Sequence, residues 1–434
     1  MPRPPKRILF FLAFSLLGAA PARSFAWGLH DLVTEAALSP VNSPNLSEVI
    51  QTENLDRFVA TQAVPLAKLF ESYYGWLEKK GSKRFKRHVF DAAHAGPAEF
   101  LASARFNPHT RFYTVCRLVP GEKPQHPLIL LTTLSPYERL EKHYDYTFED
   151  RSGSTMTARE ILRTASDEPD WWIDGHLWEV SAYGYGIPPY GKSGSNSNDG
   201  AFHSKFGHEP WLIRKLAPEV QDGMADERVE LMLRLSRLAF ESGHRYWGYR
   251  FAAWGMHYLE DMSQPYHSRA VPGKGLWFYL RFAFSSEKAR IKNETTQLVM
   301  NRHYLYEDFV KTLLQGTFVA PSQNGDVLAG ALRHGSSVWM DLIHKSDSRS
   351  LFERVSSASA AMADDLDAAV VKAYGPRMTE DPSYDEEKDP QYDSQAIFER
   401  ASAPEIQALV AEARKDLELT GIAARTFLQL CLNY

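Results

Sequence analysis

The dodecapeptide His257-Tyr-Leu-Glu-Asp261-Met-Ser-Gln-Pro-Tyr-His267-Ser sets His257, Asp261 and His267 at metal-ligand spacing, and His303 and Glu307 follow it. Residues four apart on a helix stand one turn above each other on the same face. His257 with Asp261, and His303 with Glu307, therefore each offer two ligand atoms from a rigid wall. Gln264-Pro265 breaks the first helix, because Pro cannot continue the hydrogen-bond ladder. That turn delivers His267 just past the helix end. Imidazole plus carboxylate, without thiolate, is the donor mix of a catalytic zinc site more than of a structural one. A lone His-x-x-x-Asp is more often a buried His paired with a carboxylate; these five residues at these spacings point to metal.

The N-terminus adds a second clue. Lys6 and Arg7 precede an apolar run, residues 8–17, that is too short to span a bilayer. Small residues follow, ending in Ser24-Phe25-Ala26. This is the pattern of an export signal with cleavage after Ala26. The expected organisation is a signal peptide at 1–26 and a single mostly helical domain at 27–434, secreted or periplasmic. Cleavage frees the Trp27 amine, which with its own carbonyl oxygen can chelate a metal as a five-membered ring, and His30 lies within reach of the same ion. Two middle blocks supply further donors: Asp167, Asp170 and Asp174 in one, His203 and His208 in the other. Zinc takes about four ligands, so two or three clustered ions are the economical account.

These side chains need helices to hold them. Apolar residues recur at helical spacing over 27–38, 227–257, 287–314, 327–343, 356–374 and 405–432, with a broken pattern over 48–77. Thr157-Ala-Arg-Glu160 reads as a capping box. Residues 88–136 differ: 112–119 and 129–133 are β-prone and bounded by Pro and Gly, which predicts a short hairpin within an insertion around 51–162. Residues 174–199 are rich in turn formers, and 378–394 form an acidic connector. Two aromatic blocks stand out. Trp171, Trp172, Trp178, Tyr183, Tyr185 and Tyr190 read as core. The block 277–284 divides evenly between core and a surface that contacts lipid or nucleobases.

Composition narrows the classes. The 434 residues carry a net charge of −5, so no basic field holds nucleic acid nonspecifically. Two cysteines, Cys116 and Cys431, make no disulfide scaffold; they either bridge once or remain thiols. Beyond the leader, the longest apolar candidate for a membrane span is 276–284, which is short and contains Arg281. His88, His94, His109, His143, His176 and His244 lack partners at ligand spacing, and Glu260 points to a different helix face from Asp261.

Trp27-Gly-x-His30, His257-Tyr-Leu-x-Asp261-x-x-Gln-Pro-x-His267 and His303-x-x-x-Glu307, in this order, resemble the zinc-dependent phospholipase C and single-strand-specific nuclease superfamily. The resemblance covers the leader, the first helix and the region from roughly 165 to 314. It leaves most of 51–162 unaccounted for and covers the tail beyond 315 only loosely. One departure is that His30 lies closer to Trp27 than in the family's pattern.

The resemblance implies a mainly α, multi-helical fold around a multinuclear zinc cleft, with a small inserted α+β segment. It implies three Zn2+ ions. Trp27 and His30 would hold one. Asp261 would bridge that ion to a second, which His257 also ligates. His267, His303 and Glu307 would hold the third. Asp167 is the preferred carboxylate completing the second ion's shell, with Asp170 and Asp174 as rivals, and either His203 or His208 supplies the imidazole. Asp167 is also the implied general base. The implied activity is that of an exported, zinc-dependent phosphodiester hydrolase, phospholipase C-like, using metal-activated water. The alternatives are a single-strand-specific nuclease with the same metal core and a non-catalytic, metal-bearing periplasmic or surface binding protein. The implied partners are a phospholipid or other phosphodiester, nucleic acid as the alternative substrate, and a transient membrane surface; no stable protein partner is inferred.

Overall fold

The computed structural model describes residues 29–39, 45–134, 147–190, 200–319, 322–334, 338–345, 347–385, 389 and 403–433. The expected signal peptide and Trp27 lie outside the described residues. The chain is mainly helical. In order the helices are α1 (His30–Leu38), α2 (Leu55–Thr61), α3 (Ala63–Lys80), α4 (Pro97–Ala104), α5 (Leu131–Leu134), α6 (Ala158–Ala165), α7 (Gly200–His203), α8 (Trp211–Leu216) and α9 (Ala225–Glu241). There follow α10 (Arg245–Ser263), α11 (Pro265–Ser268), α12 (Leu276–Phe284), α13 (Lys288–Val319), α14 (Gln323–Arg333), α15 (Met340–Lys345), α16 (Ser348–Tyr374), α17 (Pro376–Thr379) and α18 (Pro404–Leu432).

Helix α10 is the axis of the molecule. It is buried on every side from Tyr246 to Ser263; the stretch from Tyr246 to Met256 is apolar but for Arg250, as a helix buried all round requires, and the charged residues cluster after it. Helices α6, α9, α16 and α18 surround it. Close approach is achieved with a glycine: a Cβ at Gly255 would stand 2.2 Å from the Phe427 ring of α18. One apolar cluster joins α10 to α9, α3, α4 and the end of α18; a second joins α13, α14, α16 and the first half of α18. Helix α1 lies between them, with Ala37 and Leu38 in the first and Val33 and Ala36 in the second.

Residues 51–162 do not stand apart. Phe58, Phe70, Tyr73, Phe100 and Phe148 belong to the same cluster as Trp247 and Trp254 of α10. Five strands occur among the described residues. β1 (Val49–Gln51) pairs antiparallel with β5 (Thr155–Thr157), Ile50 opposite Met156. β2 (Val115–Arg117) and β3 (Leu128–Ile129) do not form the expected hairpin: both pair antiparallel with β4 (Phe148–Asp150), which stands between them. Glu149 explains the arrangement. Its buried carboxylate accepts the backbone N–H of His126 at 3.0 Å and pairs with Arg151 at 3.0 Å, tying the turn before β3 to β4. Residues 131–134, expected as the end of a strand, form a helical turn.

The Thr157–Glu160 capping box is present in full and opens α6. Cys116 and Cys431 are both buried and unbridged. No helix among the described residues is long and apolar enough to cross a membrane.

Candidate metal centre

Five segments converge on one buried wall. Helix α10 supplies His257 and Asp261 one turn apart. It stops at Ser263; Gln264 turns extended, its side chain accepts the Tyr266 N–H at 2.6 Å, and Pro265 opens α11 at the position where a missing N–H costs nothing. That cap brings His267 back toward the wall. Helix α13 adds His303 and Glu307, α1 begins with His30, and α7 ends with His203.

The wide helical turn Pro169–Ile173 adds Asp170. It is clamped to α10 at two points. His257 Nδ1 meets the Ser166 carbonyl at 2.7 Å. The Glu168 carboxylate accepts from Arg250 at 2.6 and 2.8 Å and from Trp254 Nε1 at 2.7 Å. A reciprocal pair joins the other side: Lys205 N–H donates to the His267 carbonyl at 3.0 Å, and His267 Nδ1 donates to the His203 carbonyl at 2.9 Å.

Three groups of donor atoms result, each with its atoms within 4.8 Å of one another: His30, His257 and Asp261; Asp170, His203 and His257; His267, His303 and Glu307. Asp261 turns its two oxygens to different groups. Oδ1 faces His30 Nε2 at 3.4 Å, while Oδ2 meets His203 Nδ1 at 2.8 Å and His257 Nε2 at 3.2 Å. In the third group His303 Nε2 lies 3.0 Å from His267 Nε2 and 2.7 Å from Glu307 Oε1.

Several of the imidazoles are oriented from behind. His30 Nδ1 donates to Glu260 Oε2 at 2.7 Å, and Thr34, one turn along α1, donates to the other Glu260 oxygen at 2.8 Å. His203 Nε2 faces Asp174 Oδ2 at 3.4 Å. Asp174 is itself held by Arg228 at 2.5 Å and by the Tyr258 hydroxyl at 2.6 Å. Gln264 Nε2 donates to Glu307 at 3.0 Å. For His30, His257 and His267, one ring nitrogen is committed to an acceptor behind the ring, which leaves the other free to present a lone pair, as a metal ligand requires.

Electrostatics carry the same signature. Burial alone would lower the pKa of His203, but the Asp261 and Asp170 carboxylates raise it to about 9. Burial and the neighbouring His30 act likewise against His257, which Asp261 and Asp170 raise to about 9. Burial disfavours a charged Asp261, yet the imidazoles of His257, His30 and His203 hold its carboxyl well below the usual range. So many imidazoles and carboxylates in one buried place are stable only if protons or cations neutralise them.

The donor set fits metal on a second count. His30 Nε2 and Asp261 Oδ1 are buried, face each other, and make no hydrogen bond. Orphaned buried donors and acceptors of this kind are rare in native proteins. The 3.0 Å approach of two imidazole nitrogens in the third group is close to the roughly 3.3 Å expected between two nitrogens on one tetrahedral zinc.

Comparison with protein-family models, with curated proteins and with solved structures finds no match to this chain.

Of the residues singled out from sequence, His30, His203, His257, Asp261, His267, His303 and Glu307 come together. His208 does not: its Nε2 bonds Ser356 Oγ at 2.8 Å, on α16. Asp167 does not join any of the three groups, and its rival Asp170 takes the place. The physical reason is the clamp on Glu168, after which Pro169 starts the wide turn; Asp167 instead faces α1 and accepts the Asp31 N–H at 3.3 Å. Burial, and then the charges of Asp31 and Asp170, push the Asp167 carboxyl well above its ordinary range. Sequence reasoning missed Glu260 as the group orienting His30. Its helix face differs from that of Asp261, as expected, and α1 is what meets that face. Gln264 and Asp174 were likewise invisible as orienting groups, because their partners lie far away in sequence.

The first aromatic block is core: Trp171, Trp178, Tyr183 and Tyr185 are buried. The second is not. On α12 only Tyr279 is buried, while Trp277 is 82% and Phe284 85% exposed.

Proposed function

We propose that this chain is an exported, zinc-dependent phosphodiester hydrolase of the phospholipase C type. The observation that carries the reading is the convergence of three imidazole–carboxylate groups, two of them sharing His257, with Asp261 facing both. Zinc would be held by His30 and Asp261, by Asp170, His203, His257 and Asp261, and by His267, His303 and Glu307. The freed Trp27 amine, which lies outside the described residues, would complete the first set. Bound there, zinc ions acidify water toward neutrality and offset the charge of a phosphodiester.

The protein's own part is positioning and proton handling. Glu260, the Ser166 carbonyl and the His203 carbonyl fix the ring orientations of His30, His257 and His267, and Asp174 lies 3.4 Å behind His203. Asp170, whose side chain is 18% exposed where Asp261 is fully covered, is the carboxylate open to a water and acts as the general base. Asp167 stands apart from that role by position: it faces α1, accepts the Asp31 N–H at 3.3 Å and joins none of the three donor groups. The preference for lipid over nucleic acid rests on the exposed aromatic helix α12, which lies in the chain between His267 and His303, and on the net charge of −5.

The test is an assay of the processed protein on phosphatidylcholine and on single-stranded DNA, with and without EDTA. EDTA-sensitive release of a phosphorylated headgroup is expected. Cleavage of DNA without lipid turnover would replace the lipase reading with the nuclease one. Metal binding without hydrolysis of any phosphodiester would leave a binding protein.

A further inference from the structure

Helix α12 is nine residues long, Leu-Trp-Phe-Tyr-Leu-Arg-Phe-Ala-Phe, and eight of them are apolar. Such a sequence normally disappears into a core. Here only Tyr279 is buried. At 100° per residue, Trp277, Arg281 and Phe284 fall on one face, and Tyr279 falls on the opposite one. Helix α8 packs beside α12 and adds Trp211. Trp211 is 68% exposed and Leu276 50%.

Isolated exposed apolar residues are ordinary; a contiguous group of them marks a contact surface. The helix is also firmly presented. In the loop that leads into it, the Ala270 N–H donates to Glu209 at 2.8 Å, Arg269 Nε donates to the same oxygen at 3.2 Å, and the Gly273 N–H donates to Asp364 at 2.9 Å.

Charge identifies the occupant. In a chain of net −5, exposed Arg214 and Lys215 lie on α8, Arg281 lies within the aromatic face, and Lys288 opens α13. None of these four forms a close ion pair among the described residues, although the charge of Arg281 is felt by Glu287. A second copy docking through the same face by two-fold symmetry would set Arg281 near its own image, which is repulsive. Aromatic rings that settle at the headgroup–acyl boundary, among guanidinium and ammonium groups that meet anionic headgroups, suit a lipid surface.

We propose that α12, with Trp211 of α8, docks this protein on an anionic phospholipid surface. The proposal deepens the phospholipase reading: it places the substrate-bearing surface against the segment that joins two metal-binding elements. Docking and turnover are separable by experiment.

The processed full-length protein would be sedimented with vesicles of equal parts phosphatidylcholine and phosphatidylglycerol, and with phosphatidylcholine alone. Zinc content and hydrolysis of a soluble phosphodiester would be followed alongside. Binding is expected to be stronger on the anionic vesicles and to weaken with salt. Trp277→Ala/Phe284→Ala should weaken it by about tenfold or more, and Arg281→Glu should remove the preference for the anionic vesicles. Both variants should keep zinc content and soluble turnover. Wild-type protein that stays in the supernatant, or variants that bind like wild type, would overturn the docking proposal. So would a dimer in solution that the double variant abolishes. A protein that sediments with vesicles but hydrolyses no ester would instead sink the hydrolase reading and leave the docking surface standing.

Discussion

Asp261 and Glu260 are neighbours in sequence with different work to do. Asp261 faces His30 with one oxygen and His203 and His257 with the other, so Asp261→Asn removes charge from two donor groups at once. Glu260 touches His30 only from behind. Substituting a group that orients a ligand typically costs about 10–100-fold in metal affinity. Glu260→Gln should fall in that range, and Asp261→Asn should lose more, measured as zinc content and phosphodiester turnover; equal losses would contradict a role for Asp261 in both donor groups. A second contrast separates two acids that the sequence alone did not. Asp170→Asn should lower kcat by about 10²–10⁴-fold, the usual contribution of a general base, and should lower zinc content as well, because Asp170 stands among the donors with His203 and His257. Asp167→Asn should keep zinc content and most of the rate, because Asp167 lies against α1 and outside the three donor groups. A kcat loss for Asp167→Asn as large as that for Asp170→Asn would return the base role to Asp167.

The elements decide how closely these residues approach one another. Helix α10 can serve as a buried axis because Gly255 lets α18 approach: an added Cβ would meet the Phe427 ring at 2.2 Å. Gly255→Ala should therefore cost about 1–3 kcal/mol, the usual penalty for overpacking a core, read as a lowered Tm. An unchanged Tm would mean that α10 and α18 are not packed as described. The i, i+4 spacings on α10 and α13 and the capping box of α6 were legible because each is a local property of a helix. The β2–β4–β3 order was not. β4 reads Phe-Glu-Asp, a poor strand by composition, and it forms because the Glu149 carboxylate gathers N–H groups from a distant turn.

On the scale of the whole molecule, imidazoles and carboxylates from α1, α7, α10, α11, α13 and the 169–173 turn share one buried region, and protons compete with metal for it. Without metal, His203 and His257 are each raised to about 9 from an ordinary value of 6.5. A raised histidine stabilises the fold fully below its unfolded-state pKa, and that contribution is lost as pH rises through the folded one. The EDTA-stripped protein should thus lose stability between about pH 6.5 and 9. The zinc-loaded protein should hold its Tm over that range, since ligation requires neutral imidazole. Adding zinc to the stripped protein in weak buffer at pH 7.5 should release about two protons from this pair. Stability of the stripped protein that rises over that range, or zinc uptake without proton release, would contradict the proposed ligands.

Sequence alone determined the kind of donors, their helical pairing and the turn at Pro265, because one-turn spacing and the missing proline N–H act within a dozen residues. Tertiary structure alone brought His203 rather than His208, and Asp170 rather than Asp167, among the clustered donors, and it set Glu260 behind His30 and Gln264 beside Glu307. Those choices depend on which helix faces meet across separations of tens to hundreds of residues, and the packing of α1, α7 and the 169–173 turn around α10 supplies that information. The exposure of α12 was open in the same way: its composition suits a core or a contact surface equally, and only the placement of Tyr279 inward and Trp277 outward separates the two.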